Sequence, residues 1–160
     1  MVCKIVNKFF RKVYDLKRKY YWKIKFFGIK KGTNLQLYGQ VKIFGNRCNI
    51  QIGNNCSLNE GVILSANGKI RIGNNVSISS YTVLHTGYLD LGKFPNKEHK
   101  YSNIIIEDNV WIASHCIIQG GVKIGKNVVI GANSFVSKDL ESGYFYAGNP
   151  VRKIRKLSNE

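Results

Sequence analysis

The chain has 160 residues, which suits one domain, and its 44% hydrophobic content excludes an intrinsically disordered protein. Its 25 basic and 9 acidic residues give a net charge of +16, which predicts an anionic partner such as nucleic acid, a membrane surface or a phosphorylated ligand. The four cysteines include no Cys-x-x-Cys pair that would indicate a metal site, and lysine or arginine interrupts the N-terminal apolar residues too often for a signal peptide. We therefore expect a cytoplasmic protein.

The first 31 residues differ from the rest, since they hold eleven of the 25 basic residues and a single acid, Asp15. Apolar residues recur among them at helical spacing, with lysine and arginine in between. Residues 1–31 are thus predicted to form a basic amphipathic helix. Such a helix suits peripheral contact with the inner face of a membrane, and it equally suits a cap over the apolar end of the domain that follows, residues 32–160.

From residue 52 onward an aliphatic residue keeps returning after six positions, apart from a two-residue slip between Leu64 and Ile72 and a long interruption after Leu84. The members of this row are Ile52, Leu58, Leu64, Ile72, Ile78, Leu84, Ile106, Ile112, Ile118, Ile124, Ile130 and Val136. Four places after most of them stands a small or β-branched residue, as expected for a second inward position beside a corner. These residues are Cys56, Val62, Gly68, Val76, Thr82, Val110, Cys116, Val122, Val128 and Ser134.

A six-residue period excludes an α-helix, because about 3.6 residues per turn do not divide six. Three hexads per coil instead predict a prism of short parallel strands, in which each coil buries its aliphatic residues against the next. Gly-Asn-Asn at 53–55 and 73–75, Asp-Asn at 108–109, and Asn133 mark the corners, since these residue types tolerate positive φ.

The hexads stop between Leu84 and Ile106. Tyr88 falls on an inward position that is too small for its ring, so the coil is expected to open there and to extrude a loop at about 85–105. Rigid repeat scaffolds commonly present functional groups on such loops. If the protein performs chemistry, this interruption is where we expect it.

Four motifs resemble those of a known family: Asn-Val-Trp-Ile-Ala-Ser-His (109–115), Val-Ile-Gly-Ala-Asn-Ser (129–134), Val-Ser-Lys-Asp (136–139) and Ala-Gly-Asn-Pro-Val-Arg (147–152). From about residue 52 to 157 the chain resembles the hexapeptide-repeat acyltransferases, above all the sugar O-acetyltransferases of the galactoside and maltose type and their polysaccharide-modifying relatives. The resemblance implies an all-β, left-handed parallel β-helix with a short C-terminal helix in the tail 139–160. It also implies a homotrimer whose active sites lie between subunits.

Transfer of an acetyl group from acetyl-CoA to a sugar hydroxyl needs a base, and histidine suits that role near neutral pH. The resemblance places the family's catalytic histidine at Leu89, so the base must be another residue. His99 is the first choice, because a loop histidine after a Thr-Gly-x-x-Asp stretch (86–90) resembles a subgroup of polysaccharide acetyltransferases. His85, facing outward around the corner from Leu89, is the second. His115 lies in a regular coil and is expected to be structural.

The resemblance also implies the contacts of the acyl donor. Acetyl-CoA would run along the groove between adjacent subunits, with the backbone N–H of Ser114 facing the thioester oxyanion and further contacts at Ala132 and Lys138. Arg152 and Arg155 match arginines that face the CoA phosphates, although the same pair would also suit a solvated helix face. The reaction requires no metal.

On the acceptor side, Asn59 matches an asparagine that contacts the sugar. Asn67 stands where the family has an aspartate, so we expect a different choice of sugar. Trp111 either lines the acceptor pocket or packs on its strand. The sequence leaves open which hydroxyl is acetylated and whether the glycan is free, nucleotide-linked or lipid-linked.

Other functions remain open. An N-acetyltransferase for amino sugars or a serine acetyltransferase would share the donor chemistry, but the N-terminal domains usual in those families are missing. Zinc-dependent γ-carbonic anhydrases share the β-helix but need two histidines five apart, and here the gaps are fourteen and sixteen. The aromatic and basic residues of 9–27 would also suit a nucleic-acid-binding module.

Overall fold

The computed structural model of the chain describes residues 26–158. Residues 1–25, which are most of the predicted basic helix, lie outside the described residues. The question whether this segment contacts a membrane or caps the domain therefore also lies outside them. The described chain begins with a turn at Phe26–Gly28 and then enters its first strand, Lys30–Lys31. This strand already pairs with the coil, so the repeat fold starts before residue 32.

Three sheets of parallel strands form the three faces of a prism. Sheet A contains, in spatial order, β1 (Lys30–Lys31), β4 (Ile50–Ile52), β7 (Ile70–Ile72), β12 (Ile104–Ile106) and β15 (Lys123–Ile124). Sheet B contains β2 (Gln36–Tyr38), β5 (Ser57–Asn59), β8 (Ser77–Ile78), β13 (Trp111–Ile112), β16 (Val129–Ile130), β18 (Tyr144–Ala147) and β19 (Arg152–Lys156). Sheet C contains β3 (Lys42–Gly45), β6 (Ile63–Ala66), β9 (Val83–His85), β14 (Ile117–Gln119) and β17 (Phe135–Val136).

Outside these sheets, β10 (Gly87–Leu89) and β11 (His99–Tyr101) pair with each other, and two short 3-10 turns lie at Arg47–Asn49 and Leu91–Lys93. The chain passes from sheet A to B to C and back to A, which confirms the predicted left-handed parallel β-helix. We call the bend from A to B corner 1, the bend from B to C corner 2, and the bend from C to A corner 3.

The interior confirms both predicted rows of inward residues. All twelve aliphatic residues of the hexad row are buried, and so are the small or β-branched residues four places later, with half-buried Gly68 as the exception. Parallel strands align equivalent residues, as in Ile50 opposite Ile70 and Ile70 opposite Ile104. Burial of each such side chain contributes about 1.5–3 kcal/mol, so the stacked row dominates the stability of the fold.

Corner 1 is built from a column of asparagines. Asn34, Asn55, Asn75, Asn109 and Asn127 all adopt a left-handed backbone with φ between +55° and +59°. Each side-chain amide from Asn34 to Asn109 donates to the Oδ1 atom of the next asparagine at 2.9–3.2 Å. Asparagine therefore supplies both the positive φ that the turn needs and a bond to the next coil.

The predicted short C-terminal helix is wrong, because Arg152–Lys156 is a strand, β19. It runs antiparallel to β18, with Tyr144 opposite Lys156 and Ala147 opposite Arg152. β18 would otherwise leave the N–H and C=O groups of one edge unpaired, and the returning tail satisfies them. Arg152 and Arg155 therefore lie on an edge strand and not on a helix face.

Candidate active site

The interruption of the repeat folds into a β-hairpin that projects from corner 3. β10 and β11 pair antiparallel with Gly87 opposite Tyr101 and Leu89 opposite His99. The coil opens after Thr86, which is fully buried, and Tyr88 follows in the hairpin as a half-buried residue opposite Lys100. The large ring of Tyr88 is thereby accommodated outside the core.

Two glycines make room for the base of the hairpin. A Cβ atom on Gly68 would lie 2.9 Å from the Ser102 carbonyl oxygen, and one on Gly120 would lie 2.5 Å from the Thr86 carbonyl oxygen. The base is closed by the Ser102 N–H, which donates to the Thr86 carbonyl at 2.9 Å. The Thr86 hydroxyl donates to the Ser65 carbonyl (2.8 Å) and accepts from the Gly68 N–H (3.0 Å). The two strands leaving the coil are therefore fixed to each other and to the coil above.

Ionic contacts hold the outer part of the hairpin. The Lys100 Nζ atom lies 2.6 Å from an Asp90 carboxylate oxygen, and the other Asp90 oxygen accepts from the Gly92 N–H at 3.1 Å. Hydrogen bonding to Lys100 and then to the Gly92 N–H lowers the pKa of Asp90, and the same pairing raises the pKa of Lys100. Both groups are therefore charged at neutral pH.

The two candidate bases occupy different parts of this hairpin. His85 is the last residue of β9 and is exposed on the outside of sheet C, between Ser65 and Gln119. Its Nε2 atom and the Tyr101 ring lie 3.2 and 3.4 Å from the position that a Cβ of Gly87 would take, so both side chains lie against Gly87 at the hairpin base.

His99 stands in β11, exposed and directly opposite Leu89. Directly opposed residues of an antiparallel pair point to the same face, with Cβ atoms about 4.5–5.5 Å apart. The His99 side chain therefore shares its face of the hairpin with Leu89, the position at which the family resemblance places a histidine.

A second group of expected site residues gathers at corner 2 and the adjoining edge of sheet B. Ser114 and Ala132 lie at corner 2 on consecutive coils, and the Ser114 carbonyl accepts from the Asn133 N–H at 3.1 Å. Within residues 26–158 the Ser114 N–H donates to no protein group, which leaves it available to a ligand. Asn59 ends β5 on the same side of the molecule.

Trp111 begins β13 on the outer face of sheet B, and its indole reaches toward the corner 2 end of the sheet. It is 53% exposed, and its Nε1 atom donates to the Ser79 hydroxyl at 3.1 Å. His115, also at corner 2, stacks on Tyr81 with ring centroids 5.2 Å apart, which agrees with its expected structural role.

Asn67 and Lys138 fall instead at corner 3, with the hairpin. Asn67 follows β6 and is exposed, and its carbonyl accepts from the Asn49 side chain at 2.9 Å. Lys138 is exposed between β17 and Leu140. The expected substrate and donor contacts are thus divided between corners 2 and 3, which the full width of sheet C separates. From Ser114 to Gln119 the extended chain covers roughly 17 Å.

The basic residues of the tail differ in whether they form ion pairs. Lys153 pairs with Glu141 at 2.7 Å and lies over the Tyr144 ring, and the Glu141 contact raises its pKa. Arg152 and Arg155 are exposed on the same strand and take part in none of the ion pairs found within residues 26–158. Like the exposed Lys156 on the same strand, they therefore remain available to an anion.

Sequence reasoning missed Tyr101 and Ser79 as neighbours of the expected site. Tyr101 comes to the same glycine as His85, Gly87, only because the hairpin brings it back, and Ser79 meets Trp111 from the neighbouring strand. Nothing in the local sequence signals either contact. Among the described side chains no group of three His, Cys, Asp or Glu could hold a metal ion. The described residues also include no helix long and apolar enough to span a membrane.

The repeat region of the chain is similar to that of known proteins. A family model described as bacterial transferase hexapeptide (six repeats) matches residues 103–138. The galactoside O-acetyltransferase of Escherichia coli (strain K12) is 38% identical over 118 residues, which cover 72% of this chain and 58% of that protein. The chain thus spans little more than half the length of this curated relative.

Two solved structures are similar over most of the chain. A hexapeptide-repeat acetyltransferase from Vibrio cholerae, complexed with acetyl coenzyme A, has a TM-score of 0.80 at 28% identity, covering 89% of this chain and 78% of its own. A maltose O-acetyltransferase from Clostridium difficile 630 has a TM-score of 0.74 at 32% identity, covering 84% and 72%. The fold and the repeat together define a hexapeptide-repeat transferase. The chain belongs to the hexapeptide-repeat acetyltransferase family, in which galactoside and maltose O-acetyltransferases are its relatives.

Proposed function

We propose that the protein is an acetyl-CoA-dependent O-acetyltransferase that acts on a hydroxyl of a sugar or polysaccharide precursor. The observation that supports this best is the position of His99 opposite Leu89. Residues 89 and 99 are opposite each other, so a histidine at 99 presents its imidazole on the same face of the hairpin as a histidine at 89 would. The missing family histidine is thereby replaced, and His99 is the general base, with His85 as the alternative at the hairpin base.

In the proposed reaction the His99 imidazole takes the proton of the sugar hydroxyl while the sugar oxygen attacks the thioester carbonyl of acetyl-CoA. The free N–H of Ser114 stabilises the oxyanion that develops on the carbonyl oxygen. When the C–S bond breaks, the CoA thiolate leaves and takes up the proton held by the imidazole. The products are the O-acetylated sugar and CoA. Asn59, Asn67 and Trp111 contact the acceptor.

Acetyl-CoA contacts Ser114, Ala132 and Lys138 in this proposal, and its phosphates pair with Arg152 and Arg155. Ser114 and Ala132 lie at corner 2, whereas Lys138 lies at corner 3 with the hairpin. One chain cannot bring both corners to one acetyl group, because the width of sheet C lies between them. The site is complete only where corner 2 of one copy meets corner 3 of another, which supports a homotrimer with an active site in each cleft.

The charge distribution over the faces supports the same assembly. The outer side of sheet A carries Lys30, Arg71 and Lys123. The equivalent row on the outer side of sheet C begins with Lys42 and is then apolar, through Ile63, Val83, Ile117 and Phe135. In a chain with a net charge of +16, a row of this kind is best explained by contact with a second copy.

We also propose that the protein works in the cytoplasm, in contact with the inner face of the membrane through residues 1–31. The eleven basic residues of this segment would be attracted to anionic lipids, and a lipid-linked glycan would lie at the same surface. Deletion of residues 1–25, which leaves β1 and the buried Phe26 and Ile29 in place, should then reduce co-sedimentation with anionic vesicles, and unchanged co-sedimentation would exclude the membrane contact.

The activity is tested by measuring CoA release from acetyl-CoA with a panel of neutral sugars, amino sugars and serine. We expect turnover on a sugar hydroxyl, and a loss in kcat of about 10²–10⁴-fold in His99→Ala. His85→Ala is the matched control, since it removes the other exposed histidine beside the hairpin. Loss of activity in His85→Ala alone would assign the base to His85. Full activity in both variants would exclude the mechanism, and turnover on an amine alone would favour an N-acetyltransferase.

A further inference from the structure

The outer face of sheet B carries a set of side chains that the reaction above uses only in part. We call this set the platform. It spans β2, β5, β8 and β13 and consists of Tyr38, Ser57, Asn59, Ser77, Ser79 and Trp111. Asn59 and Trp111 are expected acceptor contacts, whereas Tyr38, Ser57 and Ser77 have no role in the proposed reaction.

Exposed aromatic rings stand at the two ends of the platform. Tyr38 is 57% exposed and Trp111 is 53% exposed, so each ring offers a large open surface. The Trp111 indole is held by its bond to Ser79, and the Tyr38 hydroxyl donates to Gln36 on its own strand. Three strand spacings of about 4.8 Å separate β2 from β13, which gives about 14 Å between the strands that carry the rings.

Small hydroxyl and amide groups fill the space between the rings. The Ser57 hydroxyl donates to the Ser77 hydroxyl at 3.1 Å, and Asn59 is half-buried beside them. Within the described strands, the outer positions from β2 to β16 carry no charged side chain. This is unusual in a chain with 25 basic residues, and it contrasts with the lysines and arginine on sheet A.

A sugar ring has one apolar face of C–H groups and a rim of hydroxyls, so it matches a surface of aromatic rings and neutral hydrogen-bonding groups. Nucleic acid would also stack on aromatic rings, but it requires cations along its backbone. A carboxylate, Glu60, stands at the corner 2 end of the platform, where it accepts from the Gln40 N–H at 2.6 Å. The surface therefore favours a neutral glycan over an anionic one.

We propose that the platform binds a neutral glycan of more than one sugar, so that the acceptor is an oligosaccharide chain with its end at corner 2 and further units reaching Tyr38. One sugar ring is too small to contact rings on β2 and β13 at once. This inference rests on the proposed function, because it extends the same acceptor site. It assigns a substrate-binding role to Tyr38.

The test measures binding without acetyl-CoA, by titration calorimetry on the full-length protein. The probes are galactose, lactose and lacto-N-neotetraose, with glucose, maltose and maltotetraose as a second series. In at least one series we expect the tetrasaccharide to bind about tenfold more tightly than the monosaccharide, the gain typical of an additional stacked ring. Tyr38→Ala should remove that gain and leave monosaccharide binding unchanged, whereas Tyr38→Phe should retain it.

Phe27→Ala is the matched control, because it removes an aromatic ring that is 80% exposed in the turn before sheet A. It should bind all six sugars like the unaltered protein. Affinity that does not rise with chain length in either series, or a rise that survives in Tyr38→Ala, would overturn the inference. A change in the mass of the assembly in Tyr38→Ala would also overturn it, since the face would then join two copies. Because no acetyl transfer is needed, either result is independent of whether the transferase activity is found.

Discussion

His99 and Leu89 differ in chemistry but occupy paired positions on the hairpin. If the function of the histidine depends only on the face to which it points, the two residues are interchangeable. Exchanging them, in the double variant Leu89→His with His99→Leu, should therefore recover much of the activity that His99→Ala loses. The measurement is kcat with the sugar that the unaltered protein acetylates.

The single variant Leu89→His is the control for this exchange, since it places two histidines on one face. It should retain activity, because His99 is still present. A double variant as inactive as His99→Ala, with an unchanged circular dichroism spectrum, would show that His99 acts through some feature other than its side of the hairpin.

Individual residues also show how far local sequence determines this structure. The turn asparagines were predictable, because asparagine tolerates positive φ wherever it stands. Their bonding from coil to coil, as between Asn75 and Asn109, depends on residues 34 apart that only the finished coil aligns. Tyr81 and His115 at corner 2 also adopt φ of +60°, although their residue types do not predict it. Their rings stack on each other, which stabilises both residues at this corner.

At the scale of an element, the hairpin depends on the pair formed by Asp90 and Lys100. Asp90→Asn keeps an oxygen for the Gly92 N–H but loses the charge that attracts Lys100. We expect the hairpin to open more often, so that trypsin cleaves after Lys93 or Lys97 faster than in the unaltered protein. Glu107→Gln is the control, since it removes an exposed ion pair with Lys123 on sheet A. Equal cleavage rates in all three proteins would contradict a role for Asp90.

The same pair predicts how the hairpin responds to acid. The pKa of Asp90 is lower in the folded protein than in the unfolded chain. The stability that the Asp90 carboxylate gives the folded hairpin is therefore complete above the unfolded pKa of about 3.9, and it is lost as the pH falls through the lower folded value. The NMR signal of the Gly92 amide, which donates to the Asp90 carboxylate, should therefore move mainly below about pH 4, as this carboxylate takes up a proton.

The elements that sequence predicted well are those set by the hexad period, because each inward residue meets its equivalent in the next coil. The hairpin strands and β19 could not be predicted in the same way. β10 and β11 pair with each other outside the repeat, and Arg152–Lys156 carries no hexad signal. The tail forms a strand because β18 has a free edge with which it can pair. That edge belongs to the neighbouring part of the fold, so the tail sequence alone does not reveal it.

At the scale of the whole molecule, the apolar row on sheet C predicts the state of assembly. Ile117 is 46% exposed in the single chain, and it would be covered in a trimer. Ile117→Asp should therefore convert the proposed trimer to monomers, since a charge would be buried without a partner. Analytical ultracentrifugation measures the mass, and acetyl transfer should fall with it, because the proposed site needs two copies.

Ile105→Asp is the matched control on another face. Ile105 holds the equivalent outer position of β12, between Arg71 and Lys123, where an added carboxylate meets basic neighbours. This variant should keep the mass and activity of the unaltered protein. A monomeric unaltered protein, or an Ile117→Asp variant that keeps its mass, would contradict the proposed assembly.

The closed base of the hairpin has a consequence for how such a protein can diverge. The Thr86 and Ser102 backbones are bonded to each other, and sheet A continues from β7 to β12 as if nothing lay between them. Residues 91–98, all of them exposed, can therefore be lengthened, shortened or replaced without altering a buried contact of the prism. Evolution can revise the chemistry at this corner by insertion and deletion, the changes that a packed interior tolerates least.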